Sequence, residues 1–191
     1  MMFKKIAIFT IATCMLSLTG CMTITASRYD SNPANAEHLT AEHLVAVNVA
    51  PITVQKGSTA KVKSIGLRAA TYVAPSGSFC DYIHDALVDE LNNADLIDDK
   101  ANTIIDGLLI KNDVDIAGFS KGKADISVKF TVKRDGNTVF DKVISAHTEW
   151  PSSFLGDIAI SRGASNYPLA VRELVGNLVN DADFLKALKK D

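Results

Sequence analysis

The sequence predicts an α+β domain: a mostly antiparallel sheet with two main helices packed on one face. Three observations lead there. Residues 124–133 alternate apolar and polar side chains and run into Asp135-Gly136, a pair suited to a tight hairpin. Residues 79–94 and 169–182 carry apolar side chains at helical spacing. The chain has 191 residues, 47% apolar and 22% charged, enough apolar material for one core plus appendages.

Met1 to Lys5 is short and positive, and Ile6 to Leu18 is apolar. This run of about a dozen residues has the length of a signal-peptide core and falls short of the ~20 that span a bilayer. Thr10, Thr13 and Ser17 weaken a permanent span further. The run ends on Leu18-Thr19-Gly20-Cys21, which resembles the lipobox of bacterial lipoproteins. The resemblance implies that the Cys21 thiol receives a diacylglyceryl group, that the leader is cut just before it, and that the new amino terminus is acylated. A nucleophilic sulfur is the acceptor, small residues before it admit the backbone to a peptidase cleft, and a branched apolar residue stands three before. Cys14 follows Thr13 and a shorter apolar segment, so it is the poorer acceptor. In enterobacterial lipoproteins an Asp after the modified Cys favours the inner membrane. Met22 stands there instead, which implies lipid anchoring at the periplasmic face of the outer membrane.

The chain so divides into a lipoprotein signal peptide (1–20), a lipidated tether (21–41) and a globular domain (42–191). The tether reading rests on Ser, Thr, Asn and Ala without a sustained period. Glu37-His38-Leu39 recurs as Glu42-His43-Leu44, but a spacing of five is not that of a helical ligand pair, so it reads as a chance echo. Once the leader is gone and Cys21 is modified, Cys80 is the one free thiol left, and no intramolecular disulfide can form.

Within the domain, Leu44–Val54 predicts a strand that Pro51 places at an edge or bulge. Lys56-Gly57-Ser58 marks a turn, and Leu67–Val73 predicts a short strand. Ser78 caps a helix with Asp81 three residues on, and Phe79, Ile83, Ala86, Leu87, Leu91 and Ala94 form its stripe. Thr103–Ala117 predicts a long strand, or a bent pair of strands with the bend at Gly107, with Ile104, Leu108, Ile110, Val114 and Ile116 on one side and Asp106 and Asn112 as interruptions. Ala124–Lys133 buries Ile126, Val128, Phe130 and Val132, turns through Arg134–Asn137, and returns as Thr138–Trp150. Residues 150–165 predict an irregular segment, apolar enough (Phe154, Leu155, Ile158, Ile160) either to pack on the core or to be an exposed contact surface. Asn166 and Pro168 suggest the start of a second helix with a stripe of Leu169, Leu174, Val175, Leu178, Val179 and Ala182. Phe184, Leu185 and Leu188 close the chain in a final helical turn or two.

The strings TIIDGLLIKNDVDIA and KADISVKFTVKRDGNTVFDKVISA, the Ser78-capped helix and the closing LAVRELVGNLVNDADFLKAL look like the YajG-type envelope lipoproteins. In element order the chain is also similar to periplasmic lipoproteins with a domain like the amino-terminal domain of TolB. That set includes activators of cell-wall synthases, secretion-channel lipoproteins and auxiliary subunits of lipid transporters. The resemblance implies an envelope protein that works by binding a protein or glycan partner, and it supplies no catalytic residues.

The residues themselves point the same way. Removing residues 1–20, which hold Lys4 and Lys5 and no acid, takes the net charge from −2 to −4, which argues against nucleic acid. The four histidines are scattered and there is no Gly-x-Ser-x-Gly. Cys80 with His84, one helical turn apart, would be the thiol site of an enzyme; a small hydrophobic Cys is the simpler reading. His147, Glu149 and Asp141 share a strand face and would be its polar cluster; a solvated sheet face is the simpler reading. A lipid-transport auxiliary would need an apolar cavity. The sequence therefore predicts no catalytic, cofactor or metal site, and one modification site, Cys21.

Overall fold

The computed structural model describes residues 22–190, so the signal peptide and Cys21 lie outside the described residues. The fold is α+β, with two sheets rather than one. The tether expected over residues 21–41 is, from Met22 onward, part of the body. It forms strand β1 (Met22–Thr25) and helix α1 (Pro33–Ala41), with Asn32 capping the helix and Pro33 in its first turn. The reason is burial: Ala26, Tyr29, Asn35 and Leu39 are all inside. Asn35 and Tyr29 meet Glu90, a fully buried carboxylate that accepts from Tyr29 Oη (3.1 Å), Asn35 Nδ2 (2.7 Å) and the Asn32 amide (3.0 Å).

Pro51 interrupts the expected first strand as its missing N–H requires. It becomes β2 (Asn48–Val49) and β3 (Thr53–Val54), both pairing in parallel with residues 104–109. Strands β4 (Ser64–Leu67) and β5 (Ala70–Val73) form a hairpin through Arg68, whose φ is +53°. With β1 they make a small sheet of order β1-β5-β4. Helix α2 (Phe79–Asn92) starts at Ser78, whose Oγ accepts from the Cys80 and Asp81 amides, and its predicted stripe is buried.

The larger sheet is a meander of β6 (Thr103–Asp115), β7 (Lys121–Arg134) and β8 (Asn137–Pro151), with β2 and β3 beyond β6. Ile126, Val128, Phe130 and Val132 are fully buried, and Asp135 (φ +49°) and Gly136 (φ +81°) make the tight turn. In β6 three of the four expected inward residues, Ile104, Leu108 and Ile110, face the other way, and Val114 is inward as expected. Ile105 and Leu109 point inward before Ile110, and Asn112 and Val114 after it. Ile110 is a bulge: Leu109 pairs with Val128 and Lys111 with Ser127, so the extra residue reverses the phase. Ile104, Leu108 and Ile110 therefore lie on the half-exposed outer face. Gly107 marks no bend; a Cβ there would stand 2.7 Å from Ile52 Cγ1, so it admits a neighbour.

Helix α3 (Gly156–Val179) packs on the inner side of β7 and β8, and α4 (Ala182–Leu188) follows with Phe184, Leu185 and Leu188 buried. α3 starts ten residues before Asn166, so that residue caps nothing and Pro168 lies inside the helix. Ala159, Ile160, Gly163 and Tyr167 supply a buried face upstream of the proline, and Leu169, expected in the stripe, is exposed. Pro168 has no N–H to give the Ala164 carbonyl four residues back. The hydroxyl of Tyr72, from the other sheet, donates to that carbonyl at 3.0 Å. Tyr72 also packs against Phe79 and Tyr167, with ring centroids 5.9 and 5.6 Å away.

Tyr72→Phe should therefore lower the unfolding free energy by about 1–2 kcal/mol in urea titration, the cost of an orphaned acceptor. In a Pro168→Ala background, where the helix supplies its own N–H, the same change should cost clearly less. Equal costs in both backgrounds would refute the repair.

Candidate functional site

Cys80 and His84 do not form a thiol site. Cys80 is buried in the first turn of α2, and burial pushes its thiol pKa up despite the Ser78 hydrogen bond. Both ring nitrogens of His84 are engaged elsewhere, Nδ1 with Asp85 Oδ1 at 3.1 Å and Nε2 with the Val49 carbonyl at 3.3 Å. The Glu-His-Leu echo is divided between α1 and the turn after it. There Glu42 pairs with Lys189 (3.0 Å) and His43 turns the chain at φ +53°. Among the described residues no group of three or more His, Cys, Asp or Glu is placed to hold a metal ion.

The outer face of the larger sheet brings together more chemistry. Asp125 on β7 faces His147 Nδ1 on β8 (2.6 Å) and Lys111 Nζ on β6 (3.1 Å). Glu149 faces Lys121 Nζ (2.8 Å) and, farther off, His147 Nε2 (3.7 Å). Asp141 shares the face, as expected, but pairs with Lys129 (3.0 Å) and so stays outside the cluster. Lys133 pairs with Asp106 at 2.7 Å. Solvated pairs of this kind add little stability. Between them lie the half-exposed Ile104, Leu108 and Ile110 and the exposed Val143, making a wide surface of alternating charge and apolar patches.

β8 is an edge strand, and α3 protects part of it. Glu173 accepts from the His147 amide (3.4 Å) and Thr148 Oγ1 (2.7 Å), while Asn177 Nδ2 donates to the Ser145 carbonyl (2.9 Å). Capping of this kind guards an edge against unwanted pairing.

The segment expected to be irregular over 150–165 shrinks to the loop between β8 and α3. Here the sequence reading missed Arg68. Its Nε donates to the Ile116 carbonyl (3.0 Å), and its two terminal nitrogens donate to the carbonyls of Gly118 (3.3 Å), Ser153 (3.0 Å) and Phe154 (3.0 Å). One guanidinium thus ties the β6–β7 loop to the β8–α3 loop. A strong surface arginine after a short strand carried no signal of this in the sequence.

No family model matches the chain, and no curated protein matches it. Among solved structures it is similar to protein XCC0632 from Xanthomonas campestris, described with the family model DUF330. The identity is 16%, the likeness covers 86% of this chain and 96% of that one, and the TM-score is 0.60. At that identity the likeness establishes a shared fold. A putative lipoprotein from Caulobacter crescentus is more distant, at 9% identity and TM-score 0.43 over 81% of this chain and 95% of that one.

The His147 geometry has a measurable consequence. The hydrogen bond and charge of Asp125, aided by Glu149, hold its imidazole above the ordinary value of 6.5. A raised value means the cluster's contribution is complete below about pH 6.5 and fades as pH rises through the folded-state value. An NMR titration should place the His147 midpoint above 6.5, and Asp125→Asn should bring it down toward that value. A midpoint that ignores Asp125→Asn would contradict the pairing.

Proposed function

We propose that this chain is a lipid-anchored envelope lipoprotein, held at the periplasmic face of the outer membrane through acyl chains on Cys21. In this reading it is a non-catalytic binding or scaffolding module for envelope assembly or maintenance. The observation that carries the reading is Leu18-Thr19-Gly20-Cys21, behind a positive, apolar leader and directly before the first strand of the fold. No helix among the described residues is long and apolar enough to cross a membrane. Met22 in place of Asp supports the outer membrane.

The outer face of β6–β8 is the surface best suited to a protein or glycan partner, with apolar side chains set among ion pairs that water already screens. Nucleic acid fits poorly with a mildly acidic chain. An auxiliary role in lipid transport would need an apolar cavity. Among the described residues, one depression of about 460 Å³ has a mixed lining that includes Arg28, Tyr29, Tyr82, Asp85 and Val88, and one of about 440 Å³ is lined by Arg134, Phe140, Lys142 and Asp183 among others.

Cys21→Ser should abolish the acyl mass and move the protein from the membrane to the soluble periplasmic fraction. Continued palmitate incorporation with unchanged fractionation would refute the lipidation. For the partner, a photo-crosslinking residue at Val143 in the membrane-bound protein should give one discrete adduct that is absent when the probe sits at exposed Lys100. The same smear of abundant proteins from both positions would count against the binding face.

A further inference from the structure

We propose that the end of the domain where the chain enters is a membrane-contact surface, with Phe119, Phe154 and Leu155 seated in the bilayer that holds the lipid. The proposal rests on the lipidation reading above and adds to it how the domain meets the membrane.

Three large apolar side chains are held out into solvent here. Phe119 is 69% exposed, Phe154 72% and Leu155 56%, and the two phenyl rings lie 5.2 Å apart. Isolated exposed apolar residues are ordinary, but a cluster on two neighbouring loops marks an interaction site. Nor are these loops free to fold the cluster inward. The four carbonyls that Arg68 binds belong to Ile116, Gly118, Ser153 and Phe154, the backbone immediately around the rings. Arg68 occupies the left-handed region (φ +53°) to do so, a conformation that a non-glycine residue adopts at a cost.

The choice of a lipid surface over a protein comes from where the chain enters. Met22 of β1 lies opposite Ala70 of β5, and Ala70 pairs with Leu67 across the turn that contains Arg68. The first described residue therefore stands beside the arginine that clamps the two loops, and Met22 is itself exposed. Cys21 is one residue away, and one residue spans at most ~3.6 Å. Because residues 22–25 are a paired strand and not a leash, acyl chains on Cys21 would enter the bilayer next to the cluster. Phe and Leu side chains bury readily at the headgroup–acyl boundary, and residues seated a few ångströms into it supply a second attachment beside the acyl chains.

The chain's one tryptophan, Trp150, reports on this end. It lies two residues before Ser152, whose amide donates to the Ser120 carbonyl beside Phe119. The test uses the full chain, processed in cells, purified, and reconstituted into phosphatidylethanolamine and phosphatidylglycerol vesicles doped with a brominated phosphatidylcholine, a short-range quencher. Seating at interfacial depth predicts a partial loss of emission from Trp150, whose ring is buried just behind the loops, and a larger loss from a Phe154→Trp reporter at the tip. In Phe119→Ser/Phe154→Ser/Leu155→Ser the loss should largely vanish while the protein still floats with the vesicles. Phe154→Ser alone, with an unchanged circular dichroism spectrum, should give an intermediate loss and guards against a misfolded triple variant. Unquenched emission from both Trp150 and the Phe154→Trp reporter in the vesicle-bound chain would overturn the proposal and assign the cluster to a protein partner. Quenching that all variants share would overturn it too. Intact mass measured on the same samples separates the two readings: a missing acyl mass refutes lipidation, whereas the variant dependence of quenching decides the contact.

Discussion

One buried carboxylate secures the chain's entry into the fold. Glu90 has no exposure, so its charge is tolerable only while donors surround it. Three of those donors come from residues 29–35. Burial and the Glu90 charge push the Tyr29 hydroxyl far above its ordinary pKa, so it remains protonated and donating. Arg172 of α3 takes the carbonyl and carboxylate of Asp30 from the other side. Any conformation that lets residues 26–35 drift would strand a charge in the interior. That is why a stretch with the composition of a linker behaves as structure, and why β1 can hold its place beside β5.

The parts of the fold legible in the sequence are those that a local period encodes. Phe79 to Leu91 on α2, Ile126 to Val132 on β7, the Ser78 cap, the Asp135-Gly136 turn and the edge position signalled by Pro51 each depend on residues within a few positions. The missed parts depend on partners far away in the chain. Tyr72 repairs the α3 ladder at Ala164, 92 positions on. Asn112 reads as an interruption in β6, yet it is buried, donates to the Lys61 carbonyl (2.7 Å) and accepts from Tyr167 Oη (2.9 Å). Glu90 looks like one more helix acid until residues 29–35 arrive. The bulge at Ile110 has no composition of its own and inverts an apolar pattern that otherwise reads cleanly.

The candidate surfaces follow the same division. The charged side of β7 and its pairing with β8 were visible as alternation, and His147, Glu149 and Asp141 fall on one face as that alternation requires. The apolar cluster at the chain's entry was half visible, as Phe154 and Leu155 in a loop. Phe119 belongs to a different loop; the β7–β8 pairing brings the two loops side by side, and Arg68, about fifty residues upstream, ties them together. A lone residue in a turn has no partner that its neighbours reveal. Its role comes from four carbonyls left over where two strands and a helix end, since backbone acceptors away from regular structure still need donors.

The length of β7 has a consequence for how such a chain meets its surroundings. Its 14 residues run from Lys121, at the end where Met22 enters, to Arg134 at the far end. At about 3.3 Å per residue the strand covers roughly 45 Å. α3, with 24 residues, braces it over roughly 36 Å. Arg134 then closes the far end by donating to the carbonyls of Ala187 and Lys189. A chain fixed at Cys21 with no slack behind β1 would be a post of set height and not a tethered float. On the lipidation reading, a partner of the outer sheet face would meet the protein within about one strand length of the bilayer, and residues inserted between Cys21 and Met22 would lengthen that reach.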